Sequence, residues 1–381
     1  MRTVCGLDVH KDSIFMCIVD SQAKKAQAQF GVSTREIKRL SQELKNHYVT
    51  EVCMESTSIY WMPIWRILEK DFHLLLVNPQ FLKQLPGRKS DVKDAEWIAT
   101  ALQKELVRES FVPDGQIQRL RQYGRRIQEI NKDIVRCEQR IDTIMQRCNI
   151  RLSNYVSNIN SKSYRKVVNA LISGERAADV LVKLIHGRTI NKHGRETIQD
   201  ALEGDVQQSD TDMLAQYIQV HDMLEKQKQQ CIDSLVISCE ENYAEAFHIL
   251  QSIPGIKAQS AAIIISEIGA NMEFFATAAA LVSWSGLRPR NDESAGKVKS
   301  RKIIHGNKYL RKALIECAWG ASRTKGSVFF NRFTHLASKK KHHNAIVVAV
   351  ARKLLTIIWT LLSKNEKFDG YYHLNNKQSG S

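Results

Sequence analysis

The chain has 381 residues, 43% of them apolar, and a formal net charge of +16. That length and apolar content exclude a disordered tail or a single disulfide-stapled module and leave room for two or three packed domains. The eight cysteines form no CxxC pair, none stands at zinc-finger spacing with a histidine, and no signal-peptide core opens the chain. The longest apolar stretch, 345–362, is broken by Arg352-Lys353 and reads as a buried or DNA-facing helix. A reducing cytoplasm, with no membrane partner, is the expected setting.

The first elements alternate. Residues 4–9, 14–20 and 26–30 read as three strands joined by the polar turns His10-Lys11-Asp12-Ser13 and 21–25. A helix over 33–48, capped by Ser33 or Thr34, precedes a strand at 51–55. A helix over 58–70, a strand at 73–77 and a helix opened by Ser90-Asp91-Val92-Lys93-Asp94 follow. Three strands and then alternating helix and strand is the order of a ribonuclease-H-like (RuvC-like) α/β domain, here 1–112. Its acids stand out. Asp8 interrupts an apolar strand, where an unpartnered carboxylate is costly. Glu55 ends a strand, and Asp91 and Asp94 share one helix face at i, i+3. Carboxylates gathered at one point repel unless a cation neutralises them, and Mg²⁺ or Mn²⁺ is the natural partner. The bland alternative is a helix cap for either Asp91 or Asp94 and a solvated Glu55.

Pro113-Asp114-Gly115 marks a boundary. Beyond it Leu120, Tyr123, Ile127, Ile130, Ile134, Cys137, Ile141, Ile144 and Cys148 recur at alternating steps of three and four. That is a heptad seam about 40 Å long. Leu214, Tyr217, His221, Leu224, Lys228, Cys231 and Leu235 keep the same steps. The two can pair as an antiparallel hairpin in one chain or across a dimer. They define a coiled-coil region, 113–248, with a short-helical insert over 154–205.

The third region, 249–372, is mostly helical and strongly basic. From Leu250 onward there are 21 lysines and arginines against seven acids. A basic third beside a nearly neutral, acid-bearing first third points to nucleic acid and metal together. Ser252-Ile253-Pro254-Gly255-Ile256-Lys257 before a helix resembles a helix-hairpin-helix, whose amides would face a phosphate, or else an ordinary Pro-Gly turn. Residues 286–297 read as a loop. Around and beyond it Lys257, Arg288, Arg290, Lys297, Lys299, Arg301, Lys302, Lys308 and Arg311 are the candidate nucleic-acid contacts. A hydroxyl in that cationic field suits attack on a phosphodiester. Spacing alone does not separate Ser294 from Ser283 or Ser300, and a serine in a polar loop is usually a turn residue. Residues 373–381 read as a tail.

At these residues the chain resembles the bacterial insertion-sequence transposases with an N-terminal DEDD domain and a C-terminal serine-containing domain. These include the Piv-type invertases and the bridge-RNA-guided recombinases. The resemblance rests on Gly6-Leu7-Asp8-Val9-His10-Lys11, Met54-Glu55-Ser56-Thr57 and Lys89-Ser90-Asp91-Val92-Lys93-Asp94-Ala95 at the start. At the end it rests on Ile253-Pro254-Gly255-Ile256, residues 283–290, Ser294-Ala295-Gly296-Lys297 and residues 306–311. It implies that Asp8, Glu55, Asp91 and Asp94 bind a divalent metal and that Ser294 attacks DNA to form a phosphoserine link. It also implies DNA and a structured guide RNA as partners and a dimer or tetramer built on the coiled coil. Ala295, where the family commonly has Gly, and His305, before Gly306-Asn307, depart from its pattern. Two other functions compete: a metal-dependent nuclease or junction resolvase using water, and a non-catalytic coiled-coil DNA-binding protein.

Overall fold

The computed structural model describes residues 2–56, 58–84, 94–289, 292–294, 297–300, 303–339 and 342–370; for 80, 83–84, 292–294 and 297–300 it describes the backbone alone. The chain divides into two compact units, Met1–Val112 and Pro113–Ser381.

The first unit is a five-stranded mixed sheet. Strands β1 (Val4–Val9), β2 (Ile14–Val19), β3 (Lys25–Phe30), β4 (Glu51–Glu55) and β5 (His73–Val77) lie in the order β3-β2-β1-β4-β5. The first three are antiparallel, and β1, β4 and β5 run parallel. Alternation along each strand sends the two sets of side chains to opposite faces. Leu7, Ile14, Met16, Ile18, Val52, Met54, Leu74 and Leu76 form one core with α1 (Thr34–Asn46) and α2 (Trp61–Leu68). After β5 comes α3 (Pro79–Gln84), then α4 (Asp94–Gln103). Helix α4 covers the other face, where Val4, Cys17, Val19, Cys53 and Val77 meet Ala95, Ile98, Ala99 and Leu102. Gly6 makes this close packing possible: a Cβ there would stand nearer the Ala95 carbonyl oxygen and the Ala99 nitrogen than side chains ever stand.

The five strands agree with the sequence pattern. Helix α1 is capped by Ser33, whose side chain accepts from the Glu36 N–H. Helix α2 is shorter than the 58–70 expected, because Ser58 takes φ +53° and residues 58–60 form a turn. The short α3 was not anticipated.

The second unit is built on two long helices. Helix α5 (Gly115–Arg147) is capped by Asp114, which accepts from the Gln116 and Ile117 N–H groups. Four short helices follow: α6 (Lys162–Ile172), α7 (Ala178–Leu181), α8 (Gly187–His193) and α9 (Arg195–Asp200). The chain returns along α10 (Gln208–Gln251), which kinks at Tyr243. Contacts of Gln116 with Asn242, Cys137 with Tyr217 and Arg147 with Asp210 fix an antiparallel pairing within one chain. Of the first heptad series, all but Tyr123 are buried. The four short helices close over the far end of this pair with a core of Leu152, Tyr164, Val167, Val168, Leu171 and Ile198.

Helices α11 (Ala258–Ile268), α12 (Ala278–Trp284), α13 (Lys308–Ala321), α14 (Val328–Ser338) and α15 (His343–Lys364) complete the unit. Between α12 and α13 lies a two-stranded hairpin, β6 (Asp292–Ser294) and β7 (Lys297–Ser300), where the sequence reads as a loop. By length and composition α15 is apolar enough to cross a membrane. Here it packs on α12, α13 and α14, burying Val350, Ala351, Leu354, Leu355 and Ile358. All eight cysteines are free thiols.

Candidate active site

Strand register gathers the acids of the first unit. Leu7 pairs with Met54 on the neighbouring parallel strand, so one step further Asp8 and Glu55 stand side by side. Both share the face of Gly6 and Cys53, the face that α4 covers. Asp94 opens α4 on that same face. Asp91 lies outside the described residues.

Helix α4 is held at its start by Glu96, which accepts from Lys25 Nζ at 2.7 Å and from Gln27 Nε2 at 3.0 Å, both on β3. The first turn of α4, with Asp94 in it, is thereby fixed across the sheet. Asp8, Phe15, Gln27, Gln29, Asp94 and Glu96 are among the lining of a cleft of about 430 Å³. The cleft is open to solvent.

Asp8 is the acid whose ionisation burial opposes. Its side chain is 14% exposed, and His10 Nε2 stands 3.1 Å from its Oδ2. The imidazole packs edge-on against Phe15, which fixes its orientation. Burial raises the Asp8 pKa above the usual carboxylate value; His10 opposes that rise, and the charge of Asp94 adds to it. The two carboxylates therefore sense each other through the cleft. Acid oxygens are the donors that hard divalent cations take. The donors present fit such an ion. Among the described residues no three His, Cys, Asp or Glu side chains converge closely enough to hold a metal by themselves.

Ser294 belongs to the second unit. It ends β6 and pairs with Lys297, the first residue of β7. The feet of this hairpin meet where Gly306 presses on Gly286, which takes φ +75° and leaves no room for a Cβ at either position. Ile304 N–H donates to the Arg288 carbonyl at 3.1 Å, and Pro289 bridges Ile303. Arg311 donates from Nη1 to the Ile304 carbonyl at 3.3 Å. Lys257, at the start of α11, and Arg288 and Lys308 are exposed. Arg290, Arg301 and Lys302 lie outside the described residues, as do the side chains of Lys297 and Lys299. Gly255 takes φ +88° in the expected Pro-Gly turn, and its open side is filled by the Cys317 carbonyl and the Ala321 backbone of α13.

Three contributors were not singled out in the sequence: His10, Gly6 and Glu96. Gly6 carried a signal, since a glycine inside an apolar strand marks close backbone approach.

Residues 5–150 match the family model DEDD_Tnp_IS110, described as a transposase. Residues 247–333 match the model described as "Transposase IS116/IS110/IS902 family". The chain carries IS110-family transposase domains. It is also similar to the pilin gene-inverting proteins of Moraxella bovis and Moraxella lacunata, each 30% identical over 140 residues. That stretch is 36% of this chain, and the chain spans 43% of the length of each of these relatives. The first matched segment contains the acid face, and the second contains the serine hairpin.

Proposed function

We propose that this IS110-type chain is a DNA recombinase of an insertion sequence that cuts and rejoins DNA through a covalent phosphoserine link. One observation carries the reading. A transposase-type acid face with an underneutralised Asp8 and a serine hairpin at the head of the basic region occur in one chain, each inside a segment that matches the family.

The acids Asp8, Glu55, Asp91 and Asp94 hold Mg²⁺ or Mn²⁺, which supplies Lewis-acid stabilisation of phosphate charge when bound. Ser294 Oγ attacks the phosphorus. A bond from Oγ to phosphorus forms, the bond from phosphorus to the 3′ oxygen breaks, Oγ loses its proton and the 3′ oxygen gains one. The phosphodiester energy is kept in the serine ester, so the reverse step rejoins strands without another energy source. Lys257, Arg288, Arg290, Lys297, Lys299, Arg301, Lys302, Lys308 and Arg311 neutralise the DNA backbone or a structured guide RNA. The paired long helices serve assembly as a dimer or tetramer, with one subunit's Ser294 acting beside another's acids.

The deciding experiment is to trap the reaction on DNA and isolate a denaturation-resistant protein–DNA adduct. Its loss in Ser294→Ala is the expected result; persistence of the adduct in that variant refutes the nucleophile. Cleavage with no adduct at all points to water as the attacker. Mixing Asp8→Asn and Ser294→Ala subunits tests assembly in trans, with recovered activity expected. A discrete structured RNA that co-purifies with the protein is the expected result for the guide.

A further inference from the structure

Beneath the serine hairpin lies a buried acid that the proposed chemistry does not use. Glu267 sits in the last turn of α11, in the run Ile263-Ile264-Ile265-Ser266-Glu267-Ile268, with 1% of its side chain exposed. Such a carboxylate survives only with fixed donors. Three side chains supply them. Arg125 makes a two-pronged contact, Nε to Oε1 at 3.0 Å and Nη2 to Oε2 at 3.3 Å. Arg121 places Nε 3.2 Å from Oε2 and donates from Nη2 to the Glu267 carbonyl at 2.6 Å. Asn307 donates from Nδ2 to Oε2 at 2.6 Å.

Asn307 is the N-cap of α13, the helix that follows the hairpin. Its Oδ1 accepts from the Tyr309 and Leu310 N–H groups, capping α13, and its own N–H donates to the Trp284 carbonyl at the end of α12. The residue before it, Gly306, presses on Gly286, the outgoing foot. The α5 side of the contact is equally fixed: the Arg125 guanidinium lies 4.6 Å from the centre of the Tyr309 ring, and Gln128 donates to the Tyr309 carbonyl at 3.0 Å. Both feet of the hairpin are therefore tied through one carboxylate to the long helix α5.

We infer that Glu267 is a positioning residue for the serine step: with Asn307 and Arg125 it sets where the Ser294 hairpin stands relative to the α5–α10 pair. The inference rests on the serine chemistry proposed above. An apolar side chain would fill the same space, but it would not impose direction. Three donors on one carboxylate do, and a nucleophile misplaced by about 1 Å loses on the order of a hundredfold in rate.

A swap of the pair tests this in the full-length protein with DNA. Asn307→Asp keeps the cap acceptor for α13 but sets a carboxylate against Glu267. Adding Glu267→Gln restores the contact with its polarity reversed, because the Gln amide now donates to Asp and the number of carboxylates in the cluster returns to one. Three quantities are read: the single-turnover rate of adduct formation, the affinity for DNA, and the rate of tryptic cleavage between residues 286 and 307. The expected result is at least a tenfold slower adduct in Asn307→Asp at unchanged DNA affinity, with faster loop cleavage, and recovery of both in the double variant. An unchanged rate in Asn307→Asp, a parallel fall of rate and affinity, or no recovery in a folded double variant overturns the inference. Should Asn307→Asp not fold, Glu267→Gln alone, which still accepts from Asn307 but loses the charge facing Arg125, gives the same comparison at smaller amplitude. An adduct that persists in Ser294→Ala overturns the serine reading instead. Loop cleavage, which needs no chemistry, then still decides whether the pair holds the hairpin.

Discussion

Glu267 in the second unit and Asp8 in the first are both carboxylates set among apolar neighbours, and their surroundings differ in kind. Glu267 is met by two guanidinium groups and an amide, each fixed by further contacts. Among the described residues Asp8 has His10 as its ion-pair partner, and the nearby charge of Asp94 works against it. A carboxylate that the fold neutralises with its own cations is committed to holding elements together. One left with a single imidazole partner beside a second acid has no such structural commitment, which is why the proposed metal role falls to Asp8.

The contrast can be broken most forcefully at Glu267. Glu267→Ala leaves the largely buried Arg121 and the half-exposed Arg125 without their counterion and should cost about 3 kcal/mol of stability, read by denaturant unfolding. Burial already pushes the Arg121 guanidinium down to about 10, and Glu267 is what opposes that fall. A loss under 1 kcal/mol would show that the guanidiniums re-solvate and that the pairing is incidental.

Asp8→Asn should do the reverse. Activity should fall by a hundredfold or more, since a metal ligand contributes on the order of several kcal/mol to the transition state. The metal-free protein should melt no lower than wild type, because the neutral amide avoids the burial penalty. Mg²⁺ should raise the melting temperature of the wild type and not of this variant. A clear drop in metal-free stability would mean that Asp8 is structural after all.

Gly6→Ala is next in size. The added methyl meets the backbone of α4 and should cost about 1–3 kcal/mol, together with activity, because α4 carries Asp94. If stability falls and activity does not, the seating of α4 is irrelevant to the site.

The smallest effect is in pH. The folded pKa of Asp8 is raised, so the folded metal-free protein holds its proton more tightly than the unfolded chain does. Stability should therefore rise as pH falls through the folded pKa and level off below the unfolded value near 3.9. Asp8→Asn should flatten that limb of the profile.

Much of the first unit was legible in the sequence because strand alternation and burial act locally. Strands β1, β2, β4 and β5 rest on apolar runs, β3 alternates Ala with Gln before Phe30, and Asp8 stands out as a carboxylate that an apolar run holds only at a cost. The same argument applies to Glu267, which interrupts an isoleucine-rich helix just as Asp8 interrupts a strand, and it went unread. Its partners explain why its role was hidden: Arg121 and Arg125 lie more than a hundred residues earlier in the chain, and no local pattern links them. The hairpin around Ser294 reads as a loop because Asp292-Glu293-Ser294 and Lys297–Ser300 are short and polar, with Val298 alone apolar. Helix α2 was drawn too long because its start is decided by a positive φ at Ser58, which residue type does not announce. The acid face was legible as a set of candidates. That Asp8 and Glu55 lie on one face came only from the strand register.

The far end of the α5–α10 pair has its own consequence. The excursion through α6–α9 leaves and rejoins the long helices at one place, where the Asp205 N–H donates to the Cys148 carbonyl at 3.1 Å and the Arg151 N–H to that of Ala201 at 2.8 Å. A detour that closes on its own origin transmits nothing about its length to what lies beyond the closure. This end of the molecule is thus a socket: a change in the length of its contents need not displace the long helices, provided the two ends still meet at Cys148 and Asp205 and the faces of Ile141, Ile144 and Leu214 stay covered.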